Sequence, residues 1–317
     1  MMEIDVREIL VLGSTGYVGS RLVPRLLEEG HTVRAGWRTR SKLEAQSWKN
    51  HPNVRPVHVD VFKTNELRDA ISGSDTVYYL VHSMYSGKDF KEKDRIAASN
   101  TTTFAEELGV KRIVYLSGLG EKANRLSKHL YSRKEVDKVL RSGKTAVTTF
   151  QAAMIIGPGS ASFEIMRYLV DRLPVMITPR WVRTRTQPIS IEDTILYLVR
   201  SLDKPETIGE TFDIGGPEIT TYHDLMRVYA KEAGLRRRIV VPIPLLTPRL
   251  SSYWVNLITP IQASIARPLI EGLSHETICS ENRIRGIIPQ KLLTIRESIH
   301  LTLSYIDLSK KKRQGRF

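Results

Sequence analysis

The stretch Ile9-Leu10-Val11-Leu12-Gly13-Ser14-Thr15-Gly16-Tyr17-Val18-Gly19-Ser20-Arg21 decides how the rest of the chain is read. Four apolar residues end at Gly13 and two further glycines follow at three-residue spacing. A helical pattern then sets in, with Val18, Leu22, Val23, Leu26 and Leu27 along one side. This is strand, tight turn and helix. Gly13 permits a sharp turn, Gly16 lets a ligand approach the backbone, and Gly19 lets the helix pack closely on its strand. The helix start offers unpaired N–H groups and a favourable dipole to an anion such as a pyrophosphate. The hydroxyls of Ser14 and Thr15 can add hydrogen bonds. A second strand at 31–37 follows Gly30 and completes the strand–helix–strand unit that a dinucleotide site requires.

The alternation continues outward from this unit. Strands are expected at 54–59, 76–81, 112–116 and 146–156, with Pro52 and Pro56 marking the first of these as an edge or an irregular start. Helices are expected at 64–71, from Asp89 or Asp94 to Leu108, and at 127–141. The pattern predicts an α/β, Rossmann-type fold over residues 1–160: a doubly wound, mainly parallel sheet, completed by parts of 186–216. Its ligand should lie outside the C-terminal strand ends, at the loops of Gly13, Arg38, Asp60, His82, Ser117 and Gly157. After Gly159 the rhythm changes. Residues 161–317 read as a small, mainly helical, substrate-side domain with a basic C-terminal tail. Residues 245–270, rich in Pro, Leu, Ile and aromatics, read first as core or interface packing. A helix on a membrane surface, a cover for the cleft and a dimer seam are the alternatives.

Composition narrows the classes. A chain of 317 residues is long enough for a full core and a small extra domain. Its one cysteine, Cys279, excludes an internal disulfide, argues against cysteine-rich metal sites and suits a reducing compartment. No secretory signal precedes the first strand and no run approaches the length of a spanning helix, so a cytoplasmic placement is expected, peripheral on the inner membrane surface if the tail touches lipid. The net charge of +14 favours anionic partners: a phosphorylated cofactor, nucleic acid or an anionic membrane. No nucleic-acid recognition module accompanies that charge, so specific nucleic-acid binding is not expected. Lys310 to Arg313 form the only dense basic block. No spaced cluster of metal ligands is present.

An NAD site usually places Asp or Glu at the end of the second strand. Here that end is Trp37-Arg38, with Arg40 and Lys42 close behind. A guanidinium can pair with a ribose 2′-phosphate. One charge-assisted hydrogen bond is worth roughly 1.5–3 kcal/mol, or about a ten- to hundredfold preference. NADP(H) is therefore favoured, with NAD(H) the alternative. Asp60 and Val61 would meet the adenine.

On these motifs the chain resembles the atypical extended short-chain dehydrogenase/reductases, close to NmrA-like proteins and the 39 kDa-type accessory subunit of respiratory complex I. The residues carrying the resemblance are GSTGYVG at 13–19, Asn100 in AASNTTTFAEELG, Ser117 after RIVYL, Gly157-Pro158, PISIEDTILYLV and TFDIGGPE. It covers about residues 7–235. It implies a dinucleotide bound by Gly13, Ser14, Thr15, Gly16, Tyr17, Val18, Gly19, Arg38, Arg40, Asp60, Val61, Leu80, Val81, His82, Asn100, Ser117, Arg133, Gly157 and Pro158, the last two passing the nicotinamide. The family's Tyr and the Lys four residues on are absent. In SKHLYSRKEVDKVL their places fall on His129 and Arg133, and Tyr131 would point about 200° around the helix from His129.

Two readings follow. In one, His129 is the acid/base, Arg133 holds the ribose, Ser117 polarises a carbonyl, and His82 and Tyr85 are spare donors. The protein is then an NAD(P)-dependent oxidoreductase, reducing an apolar carbonyl or enone with NADPH. In the other, the chemistry is gone and the fold serves as a dinucleotide-sensing regulator or as a scaffold for a membrane-associated complex. Met154, Phe163, Met166, Met176 and Trp181 read as core first and as an apolar substrate wall second. Arg180, Arg183 and Arg185, on extended backbone, suit a weakly acidic substrate, the cofactor's phosphates or a solvated edge. A monomer or a homodimer fits the composition equally well.

Overall fold

A computed structural model describes residues 6–82, 89–120, 128–243, 259–260 and 269–313, with backbone alone for 128–129, 180–181, 242–243 and 310–313. Seven parallel strands form the main sheet: β1 (Glu8–Leu12), β2 (Thr32–Trp37), β3 (Val54–His58), β4 (Thr76–Tyr79), β5 (Arg112–Gly118), β6 (Ala146–Ala152) and β11 (Thr211–Ile214). Their order is β3-β2-β1-β4-β5-β6-β11. The chain thus starts in the middle, winds to one edge, returns, and winds to the other. This is the doubly wound Rossmann topology, and its switch point lies between β1 and β4. The strand carrying Pro56 is an outer one, as its prolines predict.

Helices cover both faces because successive crossovers are right-handed. The first face carries α1 (Gly19–Glu28) and α7 (Ile191–Arg200), whose Leu22, Val23, Leu26, Ile195 and Leu198 pack on Ile9, Val11, Tyr78 and Phe150. The other carries α3 (Thr64–Ile71), α4 (Phe90–Glu107) and α5 (Lys128–Leu140) on Leu10, Leu12, Val77 and Tyr79. β1 is buried on both sides, which is why it reads as an unbroken apolar run. A five-residue helix, α2 (Arg40–Glu44), follows β2 and was not legible in the sequence. It buries only Leu43 and so shows no apolar period.

The predicted sixth strand divides. β6 ends at Ala152, and β7 (Ile155–Ile156) pairs with β10 (Ile189–Ser190) outside the main sheet. A second core lies beyond it. It holds α6 (Ala161–Arg172) and α8 (Tyr222–Glu232), with Val240 of β13 packed against it, and forms the smaller C-terminal subdomain. β8 (Val175–Pro179) and β13 (Ile239–Ile243) pair in parallel beside it, and β9 (Arg185–Thr186) pairs with β12 (Thr220–Thr221). Residues 180–183 form a 3-10 turn, so neither Arg180 nor Arg183 lies on extended backbone with Arg185, and the expected shared face is absent. Met166, Met176 and Phe163 are buried in this core, and Met154 alone of that group also reaches a cavity. The side chain of Trp181 and most of 245–270 lie outside the described residues.

The chain then returns to the main sheet. Helix α9 (Arg283–Ile287) lies beside β11, and the Ile284 and Ile288 side chains join the first core. Helix α10 (Ile295–Arg313) packs on α8 and on β7 and β10. No helix among the described residues is long and apolar enough to cross a membrane.

Candidate functional site

The glycine-rich turn has the geometry its sequence demands. Gly13 sits at φ +85°, and a Cβ there would fall 2.8 Å from the Leu80 carbonyl oxygen across the switch point. A Cβ on Gly19 would fall 2.3 Å from the Gly13 carbonyl oxygen. Only glycine allows the helix start to close this tightly on the strand end. Gly16 is exposed at the rim.

Two cavities flank the turn and share Gly13, Gly16, Leu80 and His82, so they form one groove over the C-terminal strand ends. The first, of about 170 Å³, lies between β2, β3 and β4. It is lined by Thr15, Trp37, Arg38, Lys42, Asp60, Val61, Val81 and Asp94, among others. Arg38 is exposed and makes no ion pair among the described residues. Asp60 is held in place because its Oδ1 accepts from the Phe62 N–H at 3.1 Å. The ring of Trp37 meets His58 edge-on at 4.8 Å. Helix α2 brings Lys42 to this wall, which gives the cavity a second cation that sequence reading had only noted nearby.

The second cavity, of about 290 Å³, lies over β5 and β6. Ser117, Arg133, His82, Tyr17, Val18 and Gly19 line it. Leu119, Leu130, Met154, Leu269 and Leu273 give it an apolar wall, and Tyr222 and Thr277 close its far side. The C-terminal contributors have no signal in the sequence, since contacts this distant leave no local pattern. Ser117 is buried at the end of β5. Arg133 is half-buried. Burial works against its charge, but Tyr115, Asp94 and Tyr79 outweigh that and raise its pKa. Asp94 is in turn anchored by the Ser132 hydroxyl at 3.0 Å. His82 keeps an open edge to the groove, yet desolvation, then the charges of Arg133 and Lys42, push its pKa down to about 3. Its imidazole is therefore neutral near pH 7. It can give or take a hydrogen bond in that form.

Other expected residues lie off the groove. Ser14 is fully buried, and its hydroxyl donates to the Gly36 carbonyl at 2.8 Å. It ties the turn to β2 and is not offered to a phosphate. Arg40 points away, toward Glu44 at 3.9 Å, on an exposed face of α2. Asn100 donates to the Val61 carbonyl at 3.1 Å and so positions the loop after β3 from behind. Gly157 and Pro158 brace α1. A Cβ on Gly157 would fall 2.4 Å from the Tyr17 hydroxyl, and the Pro158 carbonyl accepts from Arg21 at 2.6 Å. The loop that borders the second cavity is instead Ala152 to Ile155.

Tyr131 is 46 % exposed, with the Lys91 ammonium 4.6 Å from its ring centre. It faces away from the cavity that Leu130 and Arg133 line, as the helix period requires. The side chain of His129 and all of Tyr85 lie outside the described residues. Among the described residues, no cluster has the makeup of a metal site.

A family model for NAD(P)H-binding proteins matches residues 13–155, which hold the glycine turn and most of the residues lining the groove. The chain has a Rossmann fold, and the match to NAD(P)H-binding proteins falls on its first half. Along most of its length it is similar to subunits of NADH dehydrogenase, and its fold is shared with solved epimerases and reductases. NADH dehydrogenase [ubiquinone] 1 alpha subcomplex subunit 9 of Arabidopsis thaliana is 22 % identical over 300 residues, 89 % of this chain and 74 % of that protein. The NADH-ubiquinone oxidoreductase 40 kDa subunit of Neurospora crassa is 25 % identical over 244 residues, 75 % of this chain and 64 % of that protein. The chain thus spans 74 % and 64 % of the length of these two relatives. Among solved structures, the triphenylmethane reductase of a Citrobacter species superposes with a TM-score of 0.75 over 94 % of this chain and 99 % of its own, at 16 % identity.

Proposed function

We propose that the groove binds NADP(H) in preference to NAD(H) and that the second cavity holds an apolar carbonyl or enone for reduction. The observation that carries the cofactor reading is the pair of cations, Arg38 and Lys42, on the wall at the end of β2, where an NAD site would carry a carboxylate. The cradle fits a dinucleotide, because the surfaces at Gly13 and Gly19 leave no room for a side chain and Gly16 opens to both cavities. In this reading Asp60 and Val61 meet the adenine, Arg38 and Lys42 the 2′-phosphate, Thr15 to Val18 the pyrophosphate, and Arg133 the nicotinamide ribose.

NADPH, when bound, would supply the hydride and be oxidised to NADP⁺. The protein's own part is to bind, orient and protonate. Ser117 donates a hydrogen bond to the substrate oxygen, and the leucines and Met154 exclude water. The oxygen takes its proton from His129 or Tyr85, with neutral His82 orienting. Titration calorimetry with NADP⁺, NADPH, NAD⁺ and NADH tests the cofactor assignment. Arg38→Ala should weaken NADPH about ten- to hundredfold and leave NADH unchanged. Absence of binding by any dinucleotide would overturn it.

A second reading has support of its own. Tyr131 faces away, and relatives that align along most of the chain are named as subunits of an electron-transfer complex. In that reading the chain binds a dinucleotide without turning it over and serves a larger assembly. Tight NADPH binding with no turnover across a panel of carbonyls, enones and quinones would select it.

A further inference from the structure

The β8–β13 pair presents an apolar ladder to solvent. Ile239 lies opposite Val175, and Val241 opposite Ile177. These four β-branched side chains are 57, 50, 42 and 48 % exposed. The alternate residues Met176 and Thr178 are buried, so the pleat sends one face to the second core and the other outward. Ile239 donates to the Pro174 carbonyl, which places the start of the ladder beside Arg236, Arg237 and Arg238.

That flank is cationic. Arg238 turns inward, its Nε donating to the Val170 carbonyl at 2.9 Å. Arg236 and Arg237 are exposed and make no ion pair among the described residues. Arg237 continues into a hollow of about 470 Å³ with Arg227 and Lys231 on its rim and Val228, Ala230 and Leu235 in its floor. Its one carboxylate, Asp224, already accepts from Thr221 and lies 3.2 Å from His223.

We infer that this face docks on an anionic lipid bilayer, with the ladder entering the headgroup boundary and Arg236, Arg237 and Lys231 meeting the phosphates. Contiguous exposed apolar side chains rimmed by polar ones mark interaction surfaces. Four side chains are few for a stable protein interface, which needs about 800 Å² per partner, but they suit shallow insertion aided by cations. A second copy laid ladder to ladder would bring two cationic flanks together. The inference stands independently of the hydride reading.

The test is co-sedimentation of the full chain with phosphatidylcholine vesicles, with and without phosphatidylglycerol. Binding should require phosphatidylglycerol, fall at high salt, and weaken about tenfold or more in Arg236→Glu/Arg237→Glu and in Ile177→Ser/Val241→Ser. Unchanged melting and NADPH titration in these surface variants would show that the fold and the groove are intact. The inference is overturned if the wild type stays in the supernatant. It also fails if the ladder variant binds as the wild type does while replacing Lys310 to Arg313 by serine abolishes binding. Sedimentation velocity showing a dimer that the ladder variant dissociates would likewise replace the bilayer by a second copy.

Discussion

The two ends of the groove are built differently. The first cavity is made mostly of short runs of neighbouring residues: the turn at 12–16, the strand ends at 36–39 and 59–62, and the stretch 79–82, with Lys42, Asp94 and Ala97 added from helices. Its recognition chemistry is backbone and fixed charge. The second cavity gathers residues from 13 to 277, and the charge of its Arg133 depends on side chains outside its lining: Ser132 anchors Asp94, and Asp94 supports the charge of Arg133. Geometry set by the backbone survives sequence drift. A proton-transfer group set by one helix register does not, and His129 and Arg133 stand at the register where the resemblance implies a Tyr and a Lys.

Three variants put this contrast to the test. The largest effect is expected at the shared turn. Gly19→Val would drive side-chain carbons into the Gly13 carbonyl, with a loss of about 2–4 kcal/mol in stability. Dinucleotide affinity should fall more than about a hundredfold, read by thermal melting and calorimetry. Near-normal binding by the variant would mean that the turn does not cradle the cofactor.

The second cavity should respond in a split manner. Ser117→Ala should lower kcat about a hundredfold with cofactor affinity unchanged. Arg133→Ala should weaken NADPH and NADH equally, by about tenfold, because it lies away from the 2′-phosphate end. A selective loss of NADPH in Arg133→Ala would merge the two ends that the geometry separates.

The smallest effect lies in the seam beside them. Asp193 is buried in the first turn of α7 and accepts from the Leu293 N–H at 3.0 Å, holding the segment before α10. Burial pushes its pKa up to about 6. A carboxyl that holds its proton more tightly when folded stabilises the fold below its unfolded pKa. That contribution is lost as pH rises from about 4 through 6. Asp193→Asn keeps the acceptor without the charge. It should raise stability at pH 8 by roughly 1–3 kcal/mol and flatten the pH dependence between 4 and 6. Parallel pH–stability curves for variant and wild type would count against this.

The legible parts of the molecule were those governed by local pattern. Strands, helices, the edge position of β3 and the reasons for Gly13 and Gly19 all follow from period and sterics within a few residues. Ser14 was misjudged because its hydroxyl partner is the Gly36 carbonyl, 22 residues away. Asn100 and Gly157 likewise act on distant elements, on Val61 and Tyr17. Lys42 reached the groove through a helix too short to show a period. The apolar wall from Leu269 to Thr277 belongs to a segment whose sequence gives no sign of where it returns.

That return has a consequence for how the protein behaves in company. A seven-stranded open sheet has two raw margins, each able to recruit a strand from a stranger. At β3, Val33 donates to Asn53 and Val59 donates to Trp37, so odd-numbered residues face inward. Pro56 therefore turns outward a nitrogen that carries no hydrogen. At β11 the outward groups are the Asp213 N–H and the Thr211 carbonyl. The first donates to Glu281 and the second accepts from Arg283, both side chains of the returning segment. One margin is blunted by composition and the other is sealed by a strap. Replacing Glu281 and Arg283 by alanine would keep the glycine turn and both cores but unseal that second margin, and its hazard would be polymerisation through the sheet.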